Sequence, residues 1–439
     1  MKKLFVFIFI LQLIIFINPS YAKTTIDTYS PSVILMDSNT GKILYEKNSK
    51  EIRYPASTTK IMTAILTAEK CNLTDTATVS HNAIFSVPPS YSHASLKEGE
   101  VLTIENLLNV LLIPSANDAA NVLAEHIGGS IEDFAKLMNE KAKEIGCLNT
   151  NFLNPSGIHN EKHKTTAYDL ALMGQYAMKN DVIRNIVCKT SYSLPATNKY
   201  SKTDRKFNTT NDLIRKNNSN SKDNYYYKNA MGVKTGYTTE AGSCIISSAK
   251  KGDMEVIAVV LGGSSTADGL SQRNLDCINL FDFAFENYSY KTLHEPNGVV
   301  TEIKIDGASK ETENLKVIAK DKISVLLNND DSIENLNPEI VINEDLKAPI
   351  LANSVIGKIS YEINDTTYSS ELLAQSNVEP SNIGTIIFHF ILIIITLYLL
   401  YLMLKPSDKN NNGTKKFFDK NKVIKNKKKG GHFKFTYLQ

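Results

Sequence analysis

Tyr54-Pro55-Ala56-Ser57-Thr58-Thr59-Lys60-Ile61-Met62-Thr63-Ala64-Ile65-Leu66 opens on a proline and runs on as an apolar stretch of helical period. Pro55 can precede a helix but not continue one, so the spacing predicts a helix over Thr58–Lys70 with Ser57 at its mouth. Ser57 and Lys60 then lie one turn apart on the same face, with the lysine amine in reach of the hydroxyl. Ile61, Met62, Ile65 and Leu66 supply the buried face. A serine beside an amine is the outline of a nucleophile and its base. The tetrad alone is weak, because Ser-x-x-Lys recurs at Ser20–Lys23, Ser219–Lys222, Ser247–Lys250 and Ser248–Lys251.

Two further elements select among these serines. Ser115-Ala116-Asn117 follows Leu111-Leu112-Ile113-Pro114, where one helix must stop and another begins. A loop there can aim both polar side chains into a cleft. Lys234-Thr235-Gly236 occurs once, on an expected strand, where its glycine lets another backbone approach closely. Taken singly, Ser57 reads as a helix cap, Ser115 and Asn117 as turn residues, and Lys234 as an exposed strand lysine. Together and in this order they form the Ser-x-x-Lys, Ser-x-Asn, Lys-Thr-Gly constellation of serine acyl-transfer enzymes.

The surrounding pattern is α+β. Ser32–Asp37, the turn Asp37–Gly41 and Lys42–Glu46 read as a hairpin. Helical periods follow at Ile104–Leu112, Asp118–Ile127 and Ile131–Ile145, the last with Ser130 as cap. Ala241–Ser248, a Lys250–Asp253 turn and Met254–Leu261 read as a second hairpin, and Leu275–Glu286 as a closing helix. Short alternating runs between Val299 and Leu373 suggest a small all-β domain, and Lys216–Asn229 a polar surface loop. The expected organisation is a signal peptide (1–22), a catalytic domain (23–290), a β-rich domain (291–375), a linker (376–382), a transmembrane helix (383–404) and a basic tail (405–439).

The ends set the compartment. Met1-Lys2-Lys3, the apolar run Leu4–Ile17 and Ser20-Tyr21-Ala22 have the form of a cleavable export signal. Ile383–Leu404 is long enough to cross a bilayer, and the 11 lysines and two aspartates that follow place the tail in the cytoplasm. The whole chain carries +3; removing the tail's +9 and Lys2 and Lys3 leaves −8 for residues 23–404. The exported part is therefore acidic, which speaks against nucleic-acid binding. Five cysteines, none in a Cys-x-x-Cys pair, read as small core residues, with one disulfide open. His159 and His163 have no third ligand spaced for a metal, so neither metal nor cofactor is expected.

Tyr54–Lys60, Ser115–Ala120, Asn154-Pro155-Ser156-Gly157-Ile158-His159 with Thr166–Asp169, and Gly232–Thr238 together resemble the low-molecular-mass penicillin-binding proteins, the D-alanyl-D-alanine carboxypeptidases. The resemblance extends over nearly the whole chain. It implies a β-lactamase-like domain, a five-stranded antiparallel sheet packed with helices, ahead of the β domain and anchor. It also implies Ser57 as nucleophile, Lys60 as base and Ser115 as proton relay. Asn117, Lys234, Thr235 and Gly236 would bind substrate, and the backbone N–H groups of Ser57 and Tyr237 would form the oxyanion hole. The substrate would be a peptidoglycan stem peptide ending in D-Ala-D-Ala, and β-lactams would acylate the same serine. Some members place an arginine before the Lys-Thr-Gly strand; the matching position here is Thr210, which leaves Lys234 and Thr235 alone to grip the carboxylate. A β-lactamase, an endopeptidase and a non-catalytic wall-binding or β-lactam-sensing protein are the competing readings. No Glu-x-x-Leu-Asn pattern lies between Asn117 and Lys234 to deacylate a penicilloyl enzyme.

Overall fold

The computed structural model describes residues 26–202, 205–216, 224–363 and 366–405. The expected signal peptide, residues 217–223 of the polar loop and all of the tail beyond Lys405 lie outside the described residues. From the N-terminus the strands of the first unit are β1 (Ser32–Asp37), β2 (Ile43–Lys47), β3 (Thr76–Thr78), β4 (Val101–Thr103), β5 (Ser191–Leu194), β6 (Arg205–Asn208), β7 (Ala230–Thr238), β8 (Gly242–Lys251) and β9 (Met254–Gly263). Five of them form the antiparallel sheet that the resemblance implied, in the order β2-β1-β9-β8-β7.

The sheet is covered on both faces, which is why β1 reads as a continuous apolar run rather than an alternation. Successive side chains point to opposite faces. Ile34, Met36, Ile246, Ile257 and Val259 face the main helical layer. Val33, Leu35, Ile245, Val256, Ala258 and Val260 face Cys277, Leu280 and Phe281 of the Gln272–Asn287 helix. The helical layer holds the helices Lys60–Lys70, Ile104–Leu112, Asn117–Gly128, Ile131–Ile145 and Ala167–Met178. Ser130 caps the Ile131–Ile145 helix by accepting from the Asp133 N–H, as its position before the apolar period predicts.

The helix behind Pro55 starts later than its period predicts. Ala56–Thr59 is a 3₁₀ turn and the α-helix begins at Lys60. The cause is local: Thr58 donates both its N–H and its hydroxyl to the Pro55 carbonyl, which tightens the entry. Ser57 and Lys60 keep their three-residue spacing. All five cysteines are free. Cys147, Cys244 and Cys277 are core residues as expected, but Cys188 is exposed at the end of the Asp181–Val187 helix and Cys71 is half-buried.

The second unit is all-β. Its strands are β10 (Tyr288–His294), β11 (Val299–Lys304), β12 (Asn314–Ala319), β13 (Ile323–Asn328), β14 (Glu339–Ile342), β15 (Val355–Ile363) and β16 (Thr366–Ala374). β10 pairs with β13, and the others order β11-β12-β16-β15-β14. The β12–β13 turn meets the first unit through Lys322 and Asp253, 2.8 Å apart. At the opposite end of β12 the exit segment is stitched to neighbouring loops, Ser381 N donating to Gly307 O and Ile350 N to Val378 O. The Ile383–Leu404 helix follows at once; its mean hydropathy is 2.6 and it packs against nothing among the described residues. One candidate membrane-spanning helix is therefore present among the described residues.

Candidate active site

Ser57, Ser115, Asn117, Thr235, Gly236 and Tyr237 meet along one cleft of about 490 Å³. Lys60 and Lys234 lie beneath its floor, both essentially sealed from solvent. The three sequence elements thus converge from three places: the Ala56–Thr59 turn, the loop before the Asn117–Gly128 helix, and β7.

Lys60 is the best-defined group. Its Nζ lies 3.0 Å from Ser57 Oγ, 2.7 Å from Asn117 Oδ1 and 2.7 Å from the Ser156 carbonyl oxygen. Asn117 cannot be turned round, because its Nδ2 donates to Ser92 O at 2.8 Å. Two of the three partners are therefore pure acceptors, while the third is a hydroxyl that can donate. Burial holds Lys60 well below the ordinary lysine pKa; the Lys234 charge pushes the same way and Asp118 opposes it. Lys234 is itself pushed down to about 7, by burial first and then by Arg273.

Ser115 stands in a left-handed backbone conformation, φ 68°, that a non-glycine residue adopts only when its surroundings hold it there. The following residues do the holding. Asn117 N donates to Ser92 O. The buried Asp118 carboxylate accepts from the N–H groups of Ala94 and Leu96. Ser90, Tyr91 and Ser92, on the segment so tied down, form one wall of the cleft.

The opposite wall is β7, which is the edge of the sheet. Gly236 is required there: a Cβ on it would sit 2.8 Å from Ser57 N. The Asn154–His163 loop supports the floor. His163 accepts from Leu153 N at Nδ1, so its proton is on Nε2 and is donated to Thr59 Oγ1 at 2.9 Å. Burial, with His159 and Lys60 adding to it, lowers the His163 pKa to about 4, so the ring is neutral. No group of three or more His, Cys, Asp or Glu side chains placed to hold a metal ion occurs among the described residues.

The sequence reading missed several cleft residues: Ser90, Tyr91, Ser92, Thr238, Thr239 and, the one charged group among them, Arg273. Arg273, in the first turn of the Gln272–Asn287 helix, lines the cleft and donates from Nη1 to Gly236 O at 3.2 Å. Thr210, at the position where the resemblance led one to expect an arginine, shares a 2.5 Å hydrogen bond with the Thr235 hydroxyl. The cleft therefore does contain a guanidinium, brought in from a later element. Arg205 and Arg215 are elsewhere, paired with the buried Glu100 and with Asp212. In the sequence only the Gly262-Gly263 pair that ends β9 and the helical period behind it bear on a helix N-terminus returning to this wall.

Comparison with known proteins decides the family. A family model described as D-alanyl-D-alanine carboxypeptidase matches residues 19–265. A second, described as penicillin-binding protein 5, C-terminal domain, matches residues 288–380.

The chain belongs to the D-alanyl-D-alanine carboxypeptidase family.

It is 35% identical to D-alanyl-D-alanine carboxypeptidase DacF of Bacillus subtilis over 354 residues, covering 79% of this chain and 84% of that one. It is 30% identical to the carboxypeptidase DacC of Escherichia coli over 386 residues, covering 84% and 90%. Among solved structures, penicillin-binding protein 5 of Haemophilus influenzae superposes with a TM-score of 0.61 at 25% identity, covering 81% of this chain and 99% of that one. The chain is accordingly a hydrolase of the serine peptidase type, with a peptidase domain followed by the all-β domain of penicillin-binding protein 5.

Proposed function

We propose that this carboxypeptidase removes the terminal D-alanine from stem peptides through an ester on Ser57. The observation that carries the reading is the Lys60 amine, whose two N–H acceptors, Asn117 Oδ1 and Ser156 O, leave its lone pair for the Ser57 hydroxyl. Ser57 Oγ attacks the carbonyl carbon between the two D-alanines and its proton passes to Lys60. The carbonyl oxygen becomes an oxyanion between the N–H groups of Ser57 and Tyr237, an arrangement worth about 3–4 kcal/mol per donor. As the C–N bond breaks, the leaving amine takes a proton delivered through Ser115. Water then attacks the ester, gives up a proton by the same route and releases the shortened peptide from Ser57.

The substrate adds to the free edge of β7 as an antiparallel strand. Its terminal carboxylate lies toward Lys234, Thr235 and Arg273. An arriving carboxylate opposes the burial that lowers Lys234 and favours its charged form. Replacing Arg273 with alanine is expected to raise KM for a D-Ala-D-Ala peptide by about tenfold to a hundredfold with a smaller fall in kcat, the loss of a charged hydrogen bond of roughly 1.5–3 kcal/mol. An unchanged KM in steady-state assays excludes the carboxylate role.

β-Lactams are expected to trap Ser57 as a stable ester. Labelled penicillin followed by peptide mapping should place the label on Ser57, and Ser57→Ala should lose both the label and D-alanine release. Retention of D-alanine release by Ser57→Ala overturns the reading. Residues 23–290 form the exported peptidase unit in this proposal, and 291–375 with the 376–382 linker the spacer above the membrane. The Ile383–Leu404 helix would cross the bilayer, with the lysine-rich tail inside against anionic lipid.

A further inference from the structure

The cleft has a direction, set by where its groups lie along β7. Of the groups proposed to bind the carboxylate, Lys234 and Thr235 precede Gly236 on β7 and Arg273 reaches the Gly236 carbonyl, while Ser57 N sits against Gly236 itself. A peptide paired antiparallel to this edge must therefore run, upstream of the bond that is cut, past Tyr237 and Thr238 toward the end of the strand. The cleft continues that way, and Thr238 and Thr239 are its last lining residues on this side.

The next residue is Glu240, at the tip of the hairpin between β7 and β8. Thr238 Oγ1 accepts from Ala241 N at 3.1 Å and fixes that turn. The Glu240 side chain is about half exposed. Its own backbone N–H, the Thr238 hydroxyl and nearby His159 hold its carboxyl below the usual range, so it is ionised at neutral pH. Across from it His159 Nδ1 stands 4.0 Å from Glu240 Oε2, too far for a hydrogen bond. That nitrogen is buried and has no partner among the described residues. The His159 ring is held edge-on to Tyr54, with centroids 4.8 Å apart. The carboxylate just beyond this end of the cleft thus has no cationic partner in hydrogen-bonding range among the described residues.

We propose that Glu240 is a specificity residue that receives the free primary ammonium of a long basic side chain on the residue preceding D-Ala-D-Ala. At about 3.3 Å per residue, the backbone of that residue passes Thr238–Thr239, one step from the carboxylate, and a four-carbon amine side chain spans the rest. A stem peptide whose side-chain amine is free is then preferred over one whose amine has been acylated, as it is in a cross-link. The preference deepens the carboxypeptidase reading and rests on it.

The test uses the full-length protein in detergent with two peptides, Nα-acetyl-Lys-D-Ala-D-Ala and Nα,Nε-diacetyl-Lys-D-Ala-D-Ala. The wild-type protein should favour the free amine in kcat/KM by about two- to fivefold, the scale of a half-exposed ion pair, chiefly through KM. Added salt should erode the preference. Glu240→Gln should bring the ratio to about one, Glu240→Lys should invert it, and Glu240→Asp should keep part of it. The ratio within each variant cancels any loss common to both peptides. Equal ratios in wild type and Glu240→Gln, or a wild-type ratio of one or below, overturns the inference. Failure of the wild-type protein to cut either peptide instead counts against the carboxypeptidase reading itself.

Discussion

Exchanging Lys60 for methionine is expected to lower D-alanine release at neutral pH by about three orders of magnitude, within the range that a positioned base contributes. Methionine fills a similar volume without charge, so the fully buried site stays packed, while Asn117 Oδ1 and Ser156 O lose the donor that now reaches them at 2.7 Å. Stability should therefore fall by about 1–3 kcal/mol for each acceptor left unpaired, and, at temperatures where the variant stays folded, the loss of activity should lie in the acylation step. Lys60→Arg should be as inactive, because guanidinium stays protonated. In the wild-type protein the pH dependence follows from the sign of the shift. The base must be neutral, Lys60 is neutral above its folded pKa, and burial with Lys234 moves that pKa downward. Acylation should rise with pH through this lowered value and reach its plateau well below the ordinary lysine range. Stopped-flow acylation by a penicillin across pH measures both effects. A Lys60→Met protein that keeps its rate within tenfold of wild type, or a wild-type rate flat through this range, rejects Lys60 as base.

The residues that sequence could place are those whose constraint is local. Ser57 and Lys60 were legible because Pro55 starts the turn and the apolar period fixes the face. Ser115–Asn117 was legible because Pro114 stops one helix just before another begins. The unique Lys234-Thr235-Gly236 needed only an extended strand with no side chain opposite Ser57. Arg273 was not legible, because its place in the cleft comes from a helix that returns across the sheet after β9; nothing in Ser271-Gln272-Arg273 itself distinguishes it from a first-turn surface arginine. The 3₁₀ entry at Ala56–Thr59 escaped for a related reason. Its cause is the Thr58 hydroxyl bonding back to Pro55 O, a competition between side chain and backbone that periodicity does not register. Cys188 reads as a core residue by type and is exposed only because its helix ends there.

Gly157→Ala should be the most damaging single methyl group in the peptidase domain. Gly157 has φ +83°, and a Cβ built on it falls 1.8 Å from Ala56 O and 2.9 Å from Thr59 Oγ1. The left-handed backbone alone costs an alanine about 1–2 kcal/mol. The overlap is the larger part, because the atom it meets is backbone of the turn that carries Ser57 and cannot rotate away. The total should reach roughly 3 kcal/mol or more, a fall in Tm of about 5 °C or more. Gly129→Ala is the matched control: φ is +77° and a Cβ there meets nothing within 4 Å, so only the conformational cost remains. Activity separates the two further. Relief of the clash must move either the Ala56–Thr59 turn or the Asn154–His163 loop, and the adjacent Ser156 carbonyl is one of the three groups that hold the Lys60 amine. Gly157→Ala should therefore lose penicillin acylation by more than tenfold even at temperatures where it stays folded, whereas Gly129→Ala should acylate at the wild-type rate. Thermal melts paired with acylation rates at 15–20 °C below each Tm decide the matter, and equal behaviour of the two variants would show that the loop yields freely and does not hold the Ala56–Thr59 turn.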